Sequence, residues 1–78
     1  MTAVVLYGRP GCHLCEDAEA LLQELGIPFE RRDIEADDEL FKRMLERIPV
    51  LEVDGEERLE LVFGAQEVRA VTGTLRST

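Results

Sequence analysis

Val4 to Tyr7 is a short apolar run, β-branched at its start, and Gly8-Arg9-Pro10-Gly11 breaks it. A buried strand followed by a turn accounts for that pattern. From Cys12 the period changes. Leu14, Ala18, Leu21, Leu22 and Leu25 recur at offsets 0, 4, 7, 8 and 11, which is one face of a helix. Glu16, Asp17 and Glu19 crowd its first turns, where the macrodipole favours anions. Gly26 stands where a C-cap is needed, and Pro28 prevents continuation. Ile27 to Ile34 reads as a second strand with Phe29 and Ile34 as its apolar members. Asp37 or Asp38 can cap a second helix, along which Leu40, Phe41, Met44, Leu45 and Ile48 recur at 0, 1, 4, 5 and 8; Pro49 ends it or lies just beyond its end. Val50 to Val53 and Arg58 to Val62 flank Asp54-Gly55-Glu56-Glu57 as a β-hairpin, with Asp-Gly as its turn signal. Gln66 to about Val71 predicts a short last helix, and Thr74 to Thr78 reads as a frayed tail.

The predicted order is β-α-β-α-β-β-α. A right-handed crossover makes the first two strands parallel neighbours, and the final hairpin is antiparallel. The expected fold class is therefore α/β, a four-stranded mixed sheet flanked by helices. With 78 residues the chain forms one domain, expected to span 1–78.

Charge narrows the function classes. Nine basic residues against 17 acidic ones give a formal net charge of −8. A nucleic-acid phosphate backbone needs a basic face, and an anionic membrane surface is disfavoured for the same reason. The longest apolar run, Ala3 to Leu6, is far too short to span a bilayer. The start of the chain carries neither a basic n-region nor a long apolar h-region. A cytoplasmic location and a monomer are the expectations.

Cys12 and Cys15 are the two cysteines. As a structural staple the pair is weak: closing a four-residue loop is worth roughly 2 kcal/mol, against about 4 kcal/mol for a sixty-residue one. In a reducing compartment Cys-x-x-Cys reads as redox or metal chemistry.

The element order, together with Tyr7-Gly8-Arg9-Pro10-Gly11-Cys12-His13-Leu14-Cys15 and Ile48-Pro49, resembles the thioredoxin superfamily, and within it the small glutaredoxin-like proteins. The resemblance covers about Ala3 to Val71. It implies a thioredoxin-like fold of the glutaredoxin type and a thiol–disulfide oxidoreductase. It also implies that Pro49 follows a cis peptide bond opposite the cysteines, and that the Ile48 backbone pairs with the substrate's extended backbone as a one-rung strand addition. Arg47 stands where glutaredoxins usually carry threonine, which would give the groove a second positive charge. The chain also departs from the pattern. Gly64-Ala65 with Glu67 stands in for the glycine pair and acidic residue of glutathione-binding members, and His13-Leu14 replaces their Pro-Tyr.

The chemistry expected of these residues follows from the thiolate. A free cysteine with pKa near 8.5 is about 3% ionised at pH 7, and one near 6 about 90%. Cys12 opens a helix, where free N–H groups and the positive dipole end stabilise an anion. Arg9 and His13 are cationic candidates beside it, and Glu16 and Asp17 oppose them. Arg9 is also a candidate for binding a carboxylate of glutathione or of a partner. Cys15, one turn along, lies within the Cα window of about 4.4–6.8 Å that a disulfide requires. Cys12 is then the nucleophile, Cys15 the more buried resolving thiol, and Tyr7 and Leu14 are packing residues. The substrate would be a disulfide-containing protein or a glutathione mixed disulfide. No bound cofactor is needed, and the electrons would come from glutathione or a thioredoxin-type reductase. Two rival readings use the same residues. One is a metal or iron–sulfur carrier, in which the pair supplies two of four thiolates in a dimer. The other is a non-catalytic interaction module of the same fold.

Overall fold

Side chains alternate along a strand, so β1 (Val4–Gly8) sends Val4 and Leu6 to one side of the sheet and Val5 and Tyr7 to the other. That division organises the molecule. The computed structural model describes residues 3–73; the tail expected at 74–78 lies outside them. In chain order β1 is followed by α1 (His13–Glu24), β2 (Glu30–Asp33), a 3-10 turn at Ile34–Ala36, α2 (Asp38–Met44), β3 (Val50–Val53), β4 (Glu56–Glu60) and α3 (Ala65–Thr72). The sheet order is β2-β1-β3-β4. β1 and β2 are parallel, and the other two pairings are antiparallel. This is the α/β, four-stranded mixed sheet of a thioredoxin-like fold. Among the described residues no helix is long and apolar enough to cross a membrane.

Each side of the sheet has its own core. Val4, Leu6, Leu51 and Val53 pack with Ala18 and Leu22 of α1, Ile27, and Val68 of α3. On the opposite side Tyr7 and Val50 pack with Ile34, Met44 of α2, and Ile48, with Leu40, Phe41 and Leu45 closing over them. Cys15 joins this second core, and Cys12 packs against it. The cysteine pair thus sits where a small core meets the surface.

Local signals explain most boundaries. Gly26 has φ +71. Its N–H donates to the Gln23 carbonyl, and the Ile27 N–H to that of Leu22, each at 3.0 Å. This is a Schellman closure, with Leu22 and Ile27 as its apolar contact. Asp37 rather than Asp38 caps α2, its Oδ1 accepting from the N–H groups of Glu39 and Leu40 at 2.8 and 3.3 Å. Asp33 caps the preceding 3-10 turn through the Glu35 N–H. The acid-rich stretch from Asp33 to Glu39 is thus, in part, a pair of caps.

Three expectations need correction. The second strand is shorter than 27–34 because its residues form a solvent-exposed edge. Phe29 and Ile34 flank it and anchor it to opposite cores. α2 stops at Met44, four residues before Ile48; the N–H groups of Arg47 and Ile48 both go to the Met44 carbonyl, at 2.8 and 3.0 Å, a turn that leads out of the helix to Ile48, where the following proline disfavours helical backbone. The hairpin turn is two residues, not four. Asp54 (φ 53) and Gly55 (φ 89) both adopt left-handed backbone, so Glu56 already pairs with Val53. β4 accordingly runs 56–60 instead of 58–62, and a register shift at Leu51/Glu52 kinks it. Leu61 leaves the strand altogether, at φ 68.

Behind the cysteines, Tyr7 is buried on β1, and its Oη donates to Glu52 Oε1 on β3 at 2.7 Å. Burial, and then the Glu52 carboxylate, raise the Tyr7 pKa above its ordinary 10.0. The folded state therefore holds the phenolic proton more tightly than the unfolded chain. The resulting stability is complete below pH 10 and is lost as pH rises from there through the folded-state pKa. Tyr7→Phe is expected to cost about 1 kcal/mol at neutral pH and to flatten the decline above pH 10. Urea denaturation of both proteins between pH 8 and 11 measures this, and parallel curves would refute it.

Candidate functional site

The site begins with the way α1 starts. Gly11 takes φ +77, and Cys12 then adopts extended backbone (φ −89, ψ 112) as the N-cap. In that conformation Cys12 Sγ accepts the Cys15 N–H at 3.2 Å, while the Cys12 carbonyl accepts the Glu16 N–H at 3.1 Å. The sulfur therefore occupies the place of a capping oxygen, at the positive end of a twelve-residue helix.

Cys12 and Cys15 are joined in a disulfide, with their Cα atoms 5.2 Å apart. Cys15 is 3% exposed and Cys12 is partly exposed. An incoming group can approach Cys12, and Cys15 lies beneath it. Room for the buried sulfur comes from β1: a Cβ on Gly8 would stand 3.0 Å from Cys15 Sγ and 3.1 Å from Cys15 Cβ. In the sequence Gly8 reads only as a strand breaker. Its close approach to Cys15 depends on how α1 lies across the end of β1, which the local sequence does not reveal.

The predicted flanking residues fall differently from one another. Arg9 is tied up: its guanidinium bonds Glu35 at 2.7 and 2.9 Å and lies 5.6 Å from the centre of the Phe41 ring. His13 is exposed on the first turn of α1. Arg47, expected to give the groove a second positive charge, is paired with carboxylates. It donates to Glu57 Oε1 at 2.6 Å and to Glu60 Oε1 at 2.8 Å, so α2's exit is tied to β4. Hydrogen bonds to Glu57 and then to Glu60 raise the Arg47 pKa further. Glu35, Glu57 and Glu60 had no sequence signal as partners, since each pairing is made across elements.

Ile48 and Pro49 are buried, and the peptide bond between them is cis. Ile48 shares the core of Cys15 and Tyr7. Its N–H is already bound by the Met44 carbonyl at 3.0 Å. The strand addition expected of the Ile48 backbone can therefore use only the carbonyl. Gly64 caps α3, Ala65 opens it, and Glu67 Oε1 accepts the Gly64 N–H at 2.9 Å. Leu14, read as packing, is instead exposed, and it faces the segment from Leu61 to Phe63. Among the described residues no group of three or more His, Cys, Asp or Glu side chains is arranged to hold a metal ion.

What this arrangement can do chemically is thiol–disulfide exchange at one accessible sulfur with a second sulfur in bonding reach. Comparison with known proteins gives the family. Residues 3–71 match the family model described as a Glutaredoxin-like domain. A Nitrosomonas europaea protein solved by NMR is 28% identical, with a TM-score of 0.78 and 91% of each chain covered. An X. campestris protein solved by X-ray crystallography is 36% identical at a TM-score of 0.77, over 92% of this chain and 97% of the other. Glutaredoxin from Brucella melitensis is 29% identical at a TM-score of 0.63, over 96% and 85%. Among curated proteins nothing matches.

Proposed function

Because the chain belongs to the glutaredoxin-like domain family, we propose that it is a thiol–disulfide oxidoreductase with Cys12 as nucleophile and Cys15 as resolving thiol. The observation that carries this reading is the position of Cys12 Sγ: partly exposed, at the N-cap of α1, accepting the Cys15 N–H and bonded to a buried partner. The N–H that meets the sulfur here is equally placed to stabilise its anion in the dithiol form.

In the dithiol state the Cys12 thiolate attacks one sulfur of a substrate disulfide. A Cys12–substrate bond forms, the substrate S–S bond breaks, and one substrate thiolate leaves and takes a proton. The Cys15 thiolate then attacks Cys12 Sγ, closing the Cys12–Cys15 bond and expelling the second substrate thiolate. The protein is oxidised by two electrons, and the substrate is reduced to two thiols. An external thiol reverses the protein half of the cycle. Glutathione or the dithiol of a thioredoxin-type reductase is the proposed source, acting in a reducing compartment such as the cytoplasm. No bound cofactor enters either half, and the proposed acting form is a monomer.

The test is stoichiometric. Fully reduced protein is mixed with excess bis(2-hydroxyethyl) disulfide. Each chain is expected to release two mercaptoethanol molecules and to lose two hydrogens in mass. Release of thiol without closure of the Cys12–Cys15 bond would refute the resolving role. No release at all would refute exchange.

A further inference from the structure

In an antiparallel ladder, backbone hydrogen bonds join every second opposed pair. Just before β1, the Ala3 carbonyl accepts the Asp54 N–H at 2.7 Å. The register then runs from Val4 opposite Val53 to Tyr7 opposite Val50. The bonded rungs are therefore Ala3–Asp54, Val5–Glu52 and Tyr7–Val50, and the next would join Arg9 to Ile48. That rung is not made. The Arg9 carbonyl accepts the Cys12 N–H at 3.4 Å, and the Ile48 N–H goes to the Met44 carbonyl at 3.0 Å. The sheet opens here, with Ile48 on one side of the opening and the residue bonded to Cys12 on the other. Cys12 and Ile48 belong to the same core. Among the described residues no backbone N–H bonds the Ile48 carbonyl.

The residues on either side of Ile48 are both fastened to the exit of β4. The Leu61 N–H is shared between the carbonyls of Arg47 at 3.1 Å and Pro49 at 2.9 Å. The Arg47 side chain adds a second attachment, Nε to Glu60 Oε1 at 2.8 Å and Nη2 to Glu57 Oε1 at 2.6 Å. On a regular strand, residues three apart point to opposite sides of the sheet, so Glu57 and Glu60 could not share one guanidinium. The register shift makes it possible. Glu57 lies opposite Glu52 and Leu59 opposite Leu51, which leaves Arg58 as the extra residue of a bulge. Both carboxylates then stand on the Val50 side of the sheet, the side of α2 and Cys15. A single exposed ion pair contributes little. This fork grips one guanidinium, 31% exposed, at two points.

We propose that Arg47 is a positioning residue for exchange with protein disulfides. Bridged to Glu57 and Glu60, it fixes the loop from Arg47 to Pro49 so that the Ile48 carbonyl accepts a backbone N–H from the extended segment whose cysteine meets Cys12. The proposal rests on the exchange reading above. It gives Arg47 no contact with substrate or sulfur, so its effect is confined to disulfides that carry a peptide backbone.

The kinetic test compares two uncharged substrates of the reduced protein. One is a blocked Gly-Ala-Cys-Ala-Gly peptide, carried as a mixed disulfide with mercaptoethanol. The other is bis(2-hydroxyethyl) disulfide, which has no backbone amide. In Arg47→Met, with the fold verified by circular dichroism, the second-order rate constant for the peptide is expected to fall about fivefold. That is about 1 kcal/mol, the net worth of one hydrogen bond. The rate for the small disulfide should stay within about twofold. The Glu57→Ala, Glu60→Ala double variant, which keeps Arg47 but removes its cradle, should reproduce the loss. Arg47→Lys, a point charge that cannot span both carboxylates, should lose about twofold and serves if the methionine variant does not fold. N-methylating the three central residues of the peptide removes the donors. Wild type should then slow about fivefold, with no further loss in Arg47→Met. Equal losses on both substrates, or a double variant that reacts like wild type, would overturn the proposal.

A binding measurement is independent of exchange. In the Cys12→Ser, Cys15→Ser double variant, the carbonyl-carbon resonance of Ile48 is expected to move on titration with the same peptide bearing serine for cysteine. The N-methylated peptide should leave it in place. Adding Arg47→Met should raise the peptide concentration needed about fivefold. An Ile48 resonance that ignores the peptide, or that responds equally with and without Arg47, would refute the positioning role even if exchange succeeds. Failure of the small disulfide to react would refute exchange alone.

Discussion

Replacing Cys12 by serine is expected to lower kcat/KM for any disulfide by about a thousandfold or more while leaving the stability of the reduced protein within about 1 kcal/mol of the wild type. Both halves have the same structural origin. The activity falls because a hydroxyl is not ionised at neutral pH and the thiolate is the attacking species. The fold persists because position 12 is an N-cap. Its sulfur accepts the Cys15 N–H at 3.2 Å, and serine is among the preferred capping residues. Cys15→Ser behaves differently. Cys12 still attacks, but nothing resolves the product, so the variant should accumulate one covalently held substrate half per chain, visible by intact-mass spectrometry and released by dithiothreitol. Activity that survives in Cys12→Ser, or an adduct found on Cys15 in the wild type, would reverse the assigned roles.

Gly8→Ala is the second large effect. The added methyl would stand 3.0 Å from Cys15 Sγ and 3.1 Å from Cys15 Cβ, closer than ordinary packing permits. Neither side yields easily. Gly8 is the last residue of a strand paired to β2, and Cys15 lies within α1 and is buried. Overpacking of this kind costs about 1–3 kcal/mol. For a chain of this length, whose total stability is about 4–12 kcal/mol, that is a large share. The cost should not be equal in the two redox states. In the disulfide form Cys15 Sγ is held by its bond to Cys12, whereas the free thiol can rotate away from position 8. The oxidised form should lose more, and the reduction potential should rise by about 30 mV for each 1.4 kcal/mol of that difference. Denaturation midpoints of both redox forms, with a potential measured against a dithiothreitol buffer, decide it. An unchanged potential would mean that Gly8 only fills space.

The paired arginines put the specificity question on a physical footing. Arg9 and Arg47 would be the obvious anchors for a carboxylate-bearing thiol, and each is committed to glutamate partners from distant parts of the chain. A substrate that needed either guanidinium would have to displace a charge-assisted hydrogen bond at 2.6 to 2.9 Å.

How much of this was legible beforehand depended on the range of the interaction involved. α1 could be read because its start, its period and its Schellman end are all encoded within fifteen residues. The disulfide reach of Cys12 and Cys15 could be read because the spacing is helical. α2 was extended too far because Ile48 continues the apolar period, yet the backbone before Pro49 cannot be helical. β4 was displaced by two residues because Asp-Gly marks a turn without stating its length, and because Leu61 completes an apolar alternation that the backbone abandons. Leu14 fitted the apolar face of α1 by spacing and is exposed nonetheless.

By itself the sequence determined the order of elements, the caps, the helical face of α1 and the presence of two sulfurs one turn apart. All of these are local, set by φ/ψ preference, hydrogen bonding within a few residues and side-chain period. Tertiary structure alone decided that Gly8 makes room for the buried sulfur, that Arg9 and Arg47 are paired with glutamates, and that Leu14, Leu61 and Val62 share a groove. Those outcomes depend on contacts between residues tens of positions apart, and such contacts come into being only when packing brings the elements together.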